Sequence, residues 1–160
     1  MNYEVTIKGL QEVDALIAKA TLFFQKPEGL LNDLLFFQKT QILTKTAQGV
    51  DVDRDPFYPY SQKYALFRQA AGRPTARVDL FFSGEMLSSI KTKVTGREGT
   101  LFFADNESRE KAYQLQEEGV RRKTGKVVKR QFFGVSKFFD VEGIDQIIEE
   151  HLDEALSGGK

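Results

Sequence analysis

The chain contains no cysteine and only one histidine, His151. The first absence removes disulfides, thiolate metal sites and cysteine nucleophiles. The second leaves no partner for a histidine-based triad or an ordinary zinc site. His151 follows Ile144, Ile147 and Ile148 at helical spacing, which places it at the edge of an apolar stripe near Glu150 and Glu154. No apolar run approaches the ~18 residues of a membrane span. The opening Met1-Asn2-Tyr3-Glu4-Val5 has neither the basic region nor the apolar stretch of a secretory signal. Cytoplasmic synthesis without membrane association is therefore the expectation. Excess charge of either sign is also missing: 23 Lys and Arg balance 23 Asp and Glu. A whole-molecule attraction to nucleic acid is not expected from such a balance.

Phenylalanine, in contrast, is abundant and paired. Of fourteen, twelve occur as Phe23-Phe24, Phe36-Phe37, Phe81-Phe82, Phe102-Phe103, Phe132-Phe133 and Phe138-Phe139. Neighbouring side chains cannot share one face: they alternate across a strand and diverge by about 100° on a helix. Each ring buried is worth roughly 1.5–3 kcal/mol. Two arrangements satisfy such pairs, a core covered on both sides within one chain or completion by neighbouring subunits.

The 160 residues fit one domain. Residues 1–49 read as a strand at 3–8 and a helix pair. The first helix carries Leu10, Val13, Leu16, Ile17 and Ala20 and is ended by Pro27 and Gly29; the second carries Leu31, Leu34, Leu35 and Ile42 and stops near Gly49. Residues 50–139 read as loops, short helices and a β-hairpin. The loop at 50–60 holds two prolines and three aspartates. Ser61 caps a helix closed by Gly72, and Ser83 is expected to cap the turn after it. Strands at 91–94 and 100–104 flank a turn at 96–99, a helix with Ala112 and Leu115 inward follows from Ser108, and 131–134 reads as a short strand. Residues 140–157 form a C-terminal helix striped by Ile144, Ile147, Ile148, Leu152 and Leu156. The class is α+β, with helices at both ends packed on a small antiparallel sheet and long exposed loops at 50–60 and 119–130.

Catalytic and cofactor motifs fail on inspection. Asp51-x-Asp53-x-Asp55 begins like a calcium loop, but Pro56 stands at the sixth position and Gln62 at the twelfth, so a capping role is expected. The stretch from Gly119 to Lys126 has five residues between its glycines and Val127 where a magnesium-binding hydroxyl belongs. Glu117-Glu118 reads as a solvated pair. No catalytic residue, metal or cofactor is expected. Charge is locally uneven, however. Segment 121–130 carries Arg121, Arg122, Lys123, Lys126, Lys129 and Arg130 with no acid, while 140–154 carries seven acids with no lysine or arginine. The basic segment reads as a solvated loop, as a contact onto the acidic helix of a sister subunit, or as a nucleic-acid contact without interleaved aromatics.

Four motifs in order carry a resemblance. Phe57-Tyr58-Pro59-Tyr60-Ser61-x-x-Tyr64 precedes Asp79-Leu80-x-x-Ser83-Gly84-x-Met86-Leu87-x-Ser89-Ile90. Then come Ala112-Tyr113-x-Leu115-Gln116-x-x-Gly119 and Arg130-Gln131-Phe132-Phe133-Gly134-Val135-Ser136. Over about residues 50–156 the chain resembles the phage virion-morphogenesis proteins, which act in tail completion and head–tail joining. It departs from their pattern at Gln131, where proline is usual, and in the two residues between Gln116 and Gly119. The resemblance implies a non-enzymatic structural part of the neck or tail end, made in the host cytoplasm. Such a part forms a ring with itself and contacts tail-tube and connector proteins. The interface residues expected from these motifs and from the basic segment together are Phe57, Tyr58, Tyr60, Arg121, Arg122, Lys123, Lys126, Lys129, Arg130, Phe132 and Phe133. Ser61, Asp79, Ser83, Gly84, Leu87 and Gly134 are the expected structural positions. The alternative is a nucleic-acid-binding module using 121–130.

Overall fold

The computed structural model describes residues 10–136 and 141–157. The expected strand at 3–8 and the Phe138-Phe139 pair lie outside the described residues. The fold is α+β, with helices at both ends and short antiparallel ribbons between them. The chain divides into two units. One contains α1 (Leu10–Gln25), α2 (Glu28–Gln48) as far as Leu34, the hairpin residues Val94–Glu98 and α6 (Val141–Ser157). The other holds Leu35–Lys93 and continues from Gly99.

In the first unit α1 packs on α6. All but the last residue of the stripe read from the sequence is what α6 turns inward: Ile144, Ile147, Ile148 and Leu152 are half-buried while its acids face solvent, and Leu156 is exposed. Lys19 Nζ donates to the Leu156 carbonyl at 3.0 Å, satisfying an end group that the helix cannot satisfy itself. His151 lies beside this stripe, yet its partner is neither Glu150 nor Glu154. Its Nε2 is 2.7 Å from Asp33 Oδ2 on α2. The expectation that Gly29 helps to end the first helix is corrected. Gly29 sits inside α2, and only Pro27 lies in the connection, where its carbonyl accepts the first α2 bond from Leu31 N at 2.9 Å.

The second unit is built around Ile42, Phe57, Val78, Met86, Leu87, Ile90, Ala112 and Phe132, with Leu80, Leu101, Phe103, Leu115 and Phe133 packed against them. α2 stops at Gly49, which takes φ 82°. In the loop that follows, Asp51 Oδ1 accepts the amides of Asp53 and Asp55 at 2.8 and 2.9 Å, the capping role expected of this aspartate run. Ser61 caps α3 (Gln62–Ala70) by accepting Tyr64 N at 3.3 Å.

Ser83 does not cap α4 (Glu85–Ser88). Gly84 holds that position at φ 89°, against the Phe81 ring, and Ser83 bonds instead with the amide and carboxylate of Glu85. β1 (Ile90–Thr95) and β2 (Glu98–Phe103) form the hairpin. α5 (Asn106–Tyr113) is capped by Asp105 and so starts before Ser108. The Ser108 amide bonded to that carboxylate holds it below the usual aspartate range. A π-helical turn, Gln114–Glu118, continues it.

Two further expectations are corrected here. Segment 119–130 is not simply an exposed loop: β3 (Val120–Arg121) pairs antiparallel with β4 (Val127–Val128), and Val128 is buried. Segment 131–134 is not a strand. Its backbone bonds go to separate partners, Gln131 O to Val52 N and Phe133 N to Gln116 Oε1, so no ladder forms.

Candidate functional site

Tyr60, at the end of the 50–60 loop, is held by two arginines and one carboxylate. Its hydroxyl donates to Asp79 Oδ1 at 3.1 Å and accepts the Asp79 amide at 3.3 Å. Arg68, four residues past Tyr64 on α3, places its guanidinium 4.6 Å from the Tyr60 ring centre and 2.9 Å from Asp79 Oδ1. Arg68 is buried, with further acceptors in the carbonyls of Pro74 and Phe81. Burial raises the Tyr60 hydroxyl above its ordinary pKa, and the Asp79 carboxylate adds to the effect.

Arg130 approaches the same ring at 5.7 Å and donates from Nη2 to the Tyr58 carbonyl at 3.2 Å. Only 6% of it is exposed, and desolvation depresses its pKa. Arg122, just after β3, donates to the Pro59 carbonyl and lies over the Tyr58 ring. Lys126 Nζ is 4.6 Å from that ring centre. Tyr60, Arg68, Arg122 and Arg130 line a cleft of about 320 Å³ whose remaining wall includes Tyr64, Leu80, Phe82, Leu115 and Val120.

The anticipated interface residues thus separate into two groups. Phe57, Arg130 and Phe132 are buried in their own chain, and Tyr60 and Phe133 are half-buried. All five are covered, wholly or in part, by their own chain, and Tyr60 and Arg130 also line the cleft. Tyr58, Arg121, Lys123, Lys126 and Lys129 are exposed, and Arg122 is partly so. Among the structural positions, Leu87 is core, Ser61 is a cap, Asp79 is the hub of the Tyr60 cluster, and Gly134 accepts a bond from Gln38 Nε2 at 2.7 Å. Arg68 was not singled out from the sequence, although the spacing of Tyr64 and Arg68 by one helical turn signals a shared face.

The phenylalanine pairs divide as neighbouring side chains must. Phe23, Phe37, Phe82 and Phe103 are partly covered, while Phe24, Phe36, Phe81 and Phe102 are exposed; among the described residues only Phe132-Phe133 is covered at both positions. Among the described residues no helix is long and apolar enough to cross a membrane. What the cluster offers chemically is guanidinium donors beside apolar walls, a binding arrangement, since its one carboxylate is already committed to Arg68, Tyr60 and the Phe81 amide. Comparison of the chain with protein-family models, curated proteins and solved structures returned no match.

Proposed function

We propose that the chain is a structural component of a phage particle that completes the tail or joins tail to head. In this role it assembles with itself and with neck or tail-tube proteins and catalyses no reaction. The observation that carries this reading is that the four motifs behind the resemblance are bonded to one another within one unit. Arg130 of the last motif donates to Tyr58 of the first, and Tyr60 bonds Asp79 of the second. Gln116 of the third accepts from Phe133 of the last. Motifs that depend on each other in this way are expected to travel together. The ring left exposed in each of four phenylalanine pairs supports the assembly role, because exposed aromatic surface is what a neighbouring subunit would cover.

The test is genetic, in the phage or prophage that encodes the chain. A null allele is expected to yield heads and tails that accumulate unjoined in electron micrographs, with the chain found in wild-type virions by mass spectrometry. Full infectious yield from the null allele overturns the proposal. The nucleic-acid reading draws less support. Arg122, Lys126 and Arg130, half of the six cations, already engage Tyr58 or its neighbour. Filter binding across a salt series is expected to show no steep slope.

A further inference from the structure

We propose that the cleft beside Tyr60 is a receptor for a carboxylate carried on an apolar peptide segment of a partner protein, with Arg122 and Arg130 as its anion-binding pair. The inference concerns the isolated chain and does not depend on its place in a particle.

Arg68 and Arg130 are both buried, but only one is neutralised. Arg68 has Asp79 at 2.9 Å. Among the described residues Arg130 has no carboxylate within ion-pair distance, and its Nε is buried with no hydrogen-bond acceptor. Arg122 Nε, lining the same cleft, is buried and unpartnered as well. A buried guanidinium without a counter-charge is disfavoured by its desolvation. Arg130, buried, and Arg122, half-exposed, line one cleft, an arrangement that an anion would stabilise. Each guanidinium spends an Nη2 donor on a backbone carbonyl, which fixes its orientation beside the cleft.

The other walls define the rest of the ligand. Tyr64, Leu80, Phe82, Leu115 and Val120 line the cleft and also a neighbouring groove of about 600 Å³. A bare anion would leave these walls uncovered; an apolar side chain next to a carboxylate covers them. A nucleic-acid strand fits less well. Two of the nearby rings are already covered by cations, Tyr58 by Arg122 and Lys126 and Tyr60 by Arg68 and Arg130. The exposed Lys123 and Lys129 do not line the cleft.

The experiment follows the arginine Nε–H resonances of the full-length chain by NMR. Four probes are titrated separately: N-acetylphenylalaninate, its neutral amide N-acetylphenylalaninamide, inorganic phosphate and a single-stranded oligothymidylate. The carboxylate is expected to shift the Arg122 and Arg130 signals saturably, and the amide is not. Arg122→Gln, at a half-exposed position, is expected to keep the amide spectrum of the fold and weaken binding by about tenfold, as loss of a charge-assisted bond does. No saturable shift with the carboxylate, or an equal shift with the amide, overturns the proposal. Tighter binding of phosphate or the oligonucleotide overturns the peptide assignment.

Discussion

Arg68 Nη2 lies 2.9 Å from Asp79 Oδ1, and the same oxygen accepts from the Tyr60 hydroxyl and from the Phe81 amide. One carboxylate oxygen therefore holds a buried cation, an aromatic hydroxyl and a backbone turn together. Removing it leaves the Arg68 charge stranded, with the side chain only 1% exposed. Asp79→Ala is expected to destabilise the chain by about 3–5 kcal/mol, the usual result of breaking one side of a buried pair. Urea unfolding measures it. A loss below about 1 kcal/mol would show that the carbonyls of Pro74 and Phe81 suffice to hold the guanidinium.

Tyr60 gives this cluster an alkaline limit. Its folded pKa is raised above 10.0, by burial first and by Asp79 second. The folded state therefore holds the proton more tightly than the unfolded chain does. The stability this contributes is fully present below the unfolded pKa near 10 and is lost as pH rises through the higher folded value. The difference in stability between wild type and Tyr60→Phe is expected to stay constant from pH 7 to about 9.5. Above that, wild type falls faster. A flat difference through pH 11, read by denaturant titration, would place the hydroxyl in water.

Phe132 and Phe36 test what the phenylalanine pairs do. Phe132 is 2% exposed among Met86, Leu87 and Ile90 in the core cluster, and Phe36 is 69% exposed on α2. Phe132→Ala is expected to cost about 3–5 kcal/mol, a transfer and a cavity penalty together. Phe36→Ala is expected to change stability by less than about 0.5 kcal/mol. Its effect should fall on association instead, measured by sedimentation of the chain alone and with virion proteins. Equal losses of stability at both positions would contradict the surface role of the exposed rings.

What the sequence made legible was local. The stripe of α6, the stops at Gly49 and Gly72 and the Ser61 cap each depend on neighbours within a turn or two. The pairs were legible in part, because adjacent side chains must diverge; which ring faces inward is set by elements far along the chain. The misreadings at Gly29, Ser83 and Ser108 are local, a helix start or cap displaced by one to three residues; the others come from bonding beyond the neighbouring turn. Phe132-Phe133 looks like strand sequence, but its neighbours bond to Val52 and Gln116 rather than to a ladder. The charge of 121–130 hid a ribbon whose paired segments, two residues each, are too short to show alternation. Arg68 gave little sign of burial, because its acceptors lie six to thirteen residues onward in irregular chain.

Two glycines are expected to respond to alanine with opposite signs. Gly119 ends the π-helical turn with φ 74° and ψ 169°, a region that is nearly exclusive to glycine. A Cβ there would lie 2.7 Å from Val127 Cγ1 and 2.9 Å from the Val128 carbonyl, and the latter is backbone that cannot turn aside. Gly119→Ala is therefore expected to destabilise by about 1–3 kcal/mol and to loosen the β3–β4 ribbon first. Gly29 lies in the first turn of α2, where a Cβ would meet His151 Cε1 at 3.4 Å, an ordinary contact. Gly29→Ala is expected to stabilise by about 0.5 kcal/mol, by reducing the freedom of the unfolded chain. Thermal and urea unfolding measure both signs, and hydrogen exchange at Val120 and Val128 separates local from global loss. A neutral Gly119→Ala would mean that the ribbon does not close onto the turn, and the wall that Val120 and Leu115 give to the cleft would lose its basis.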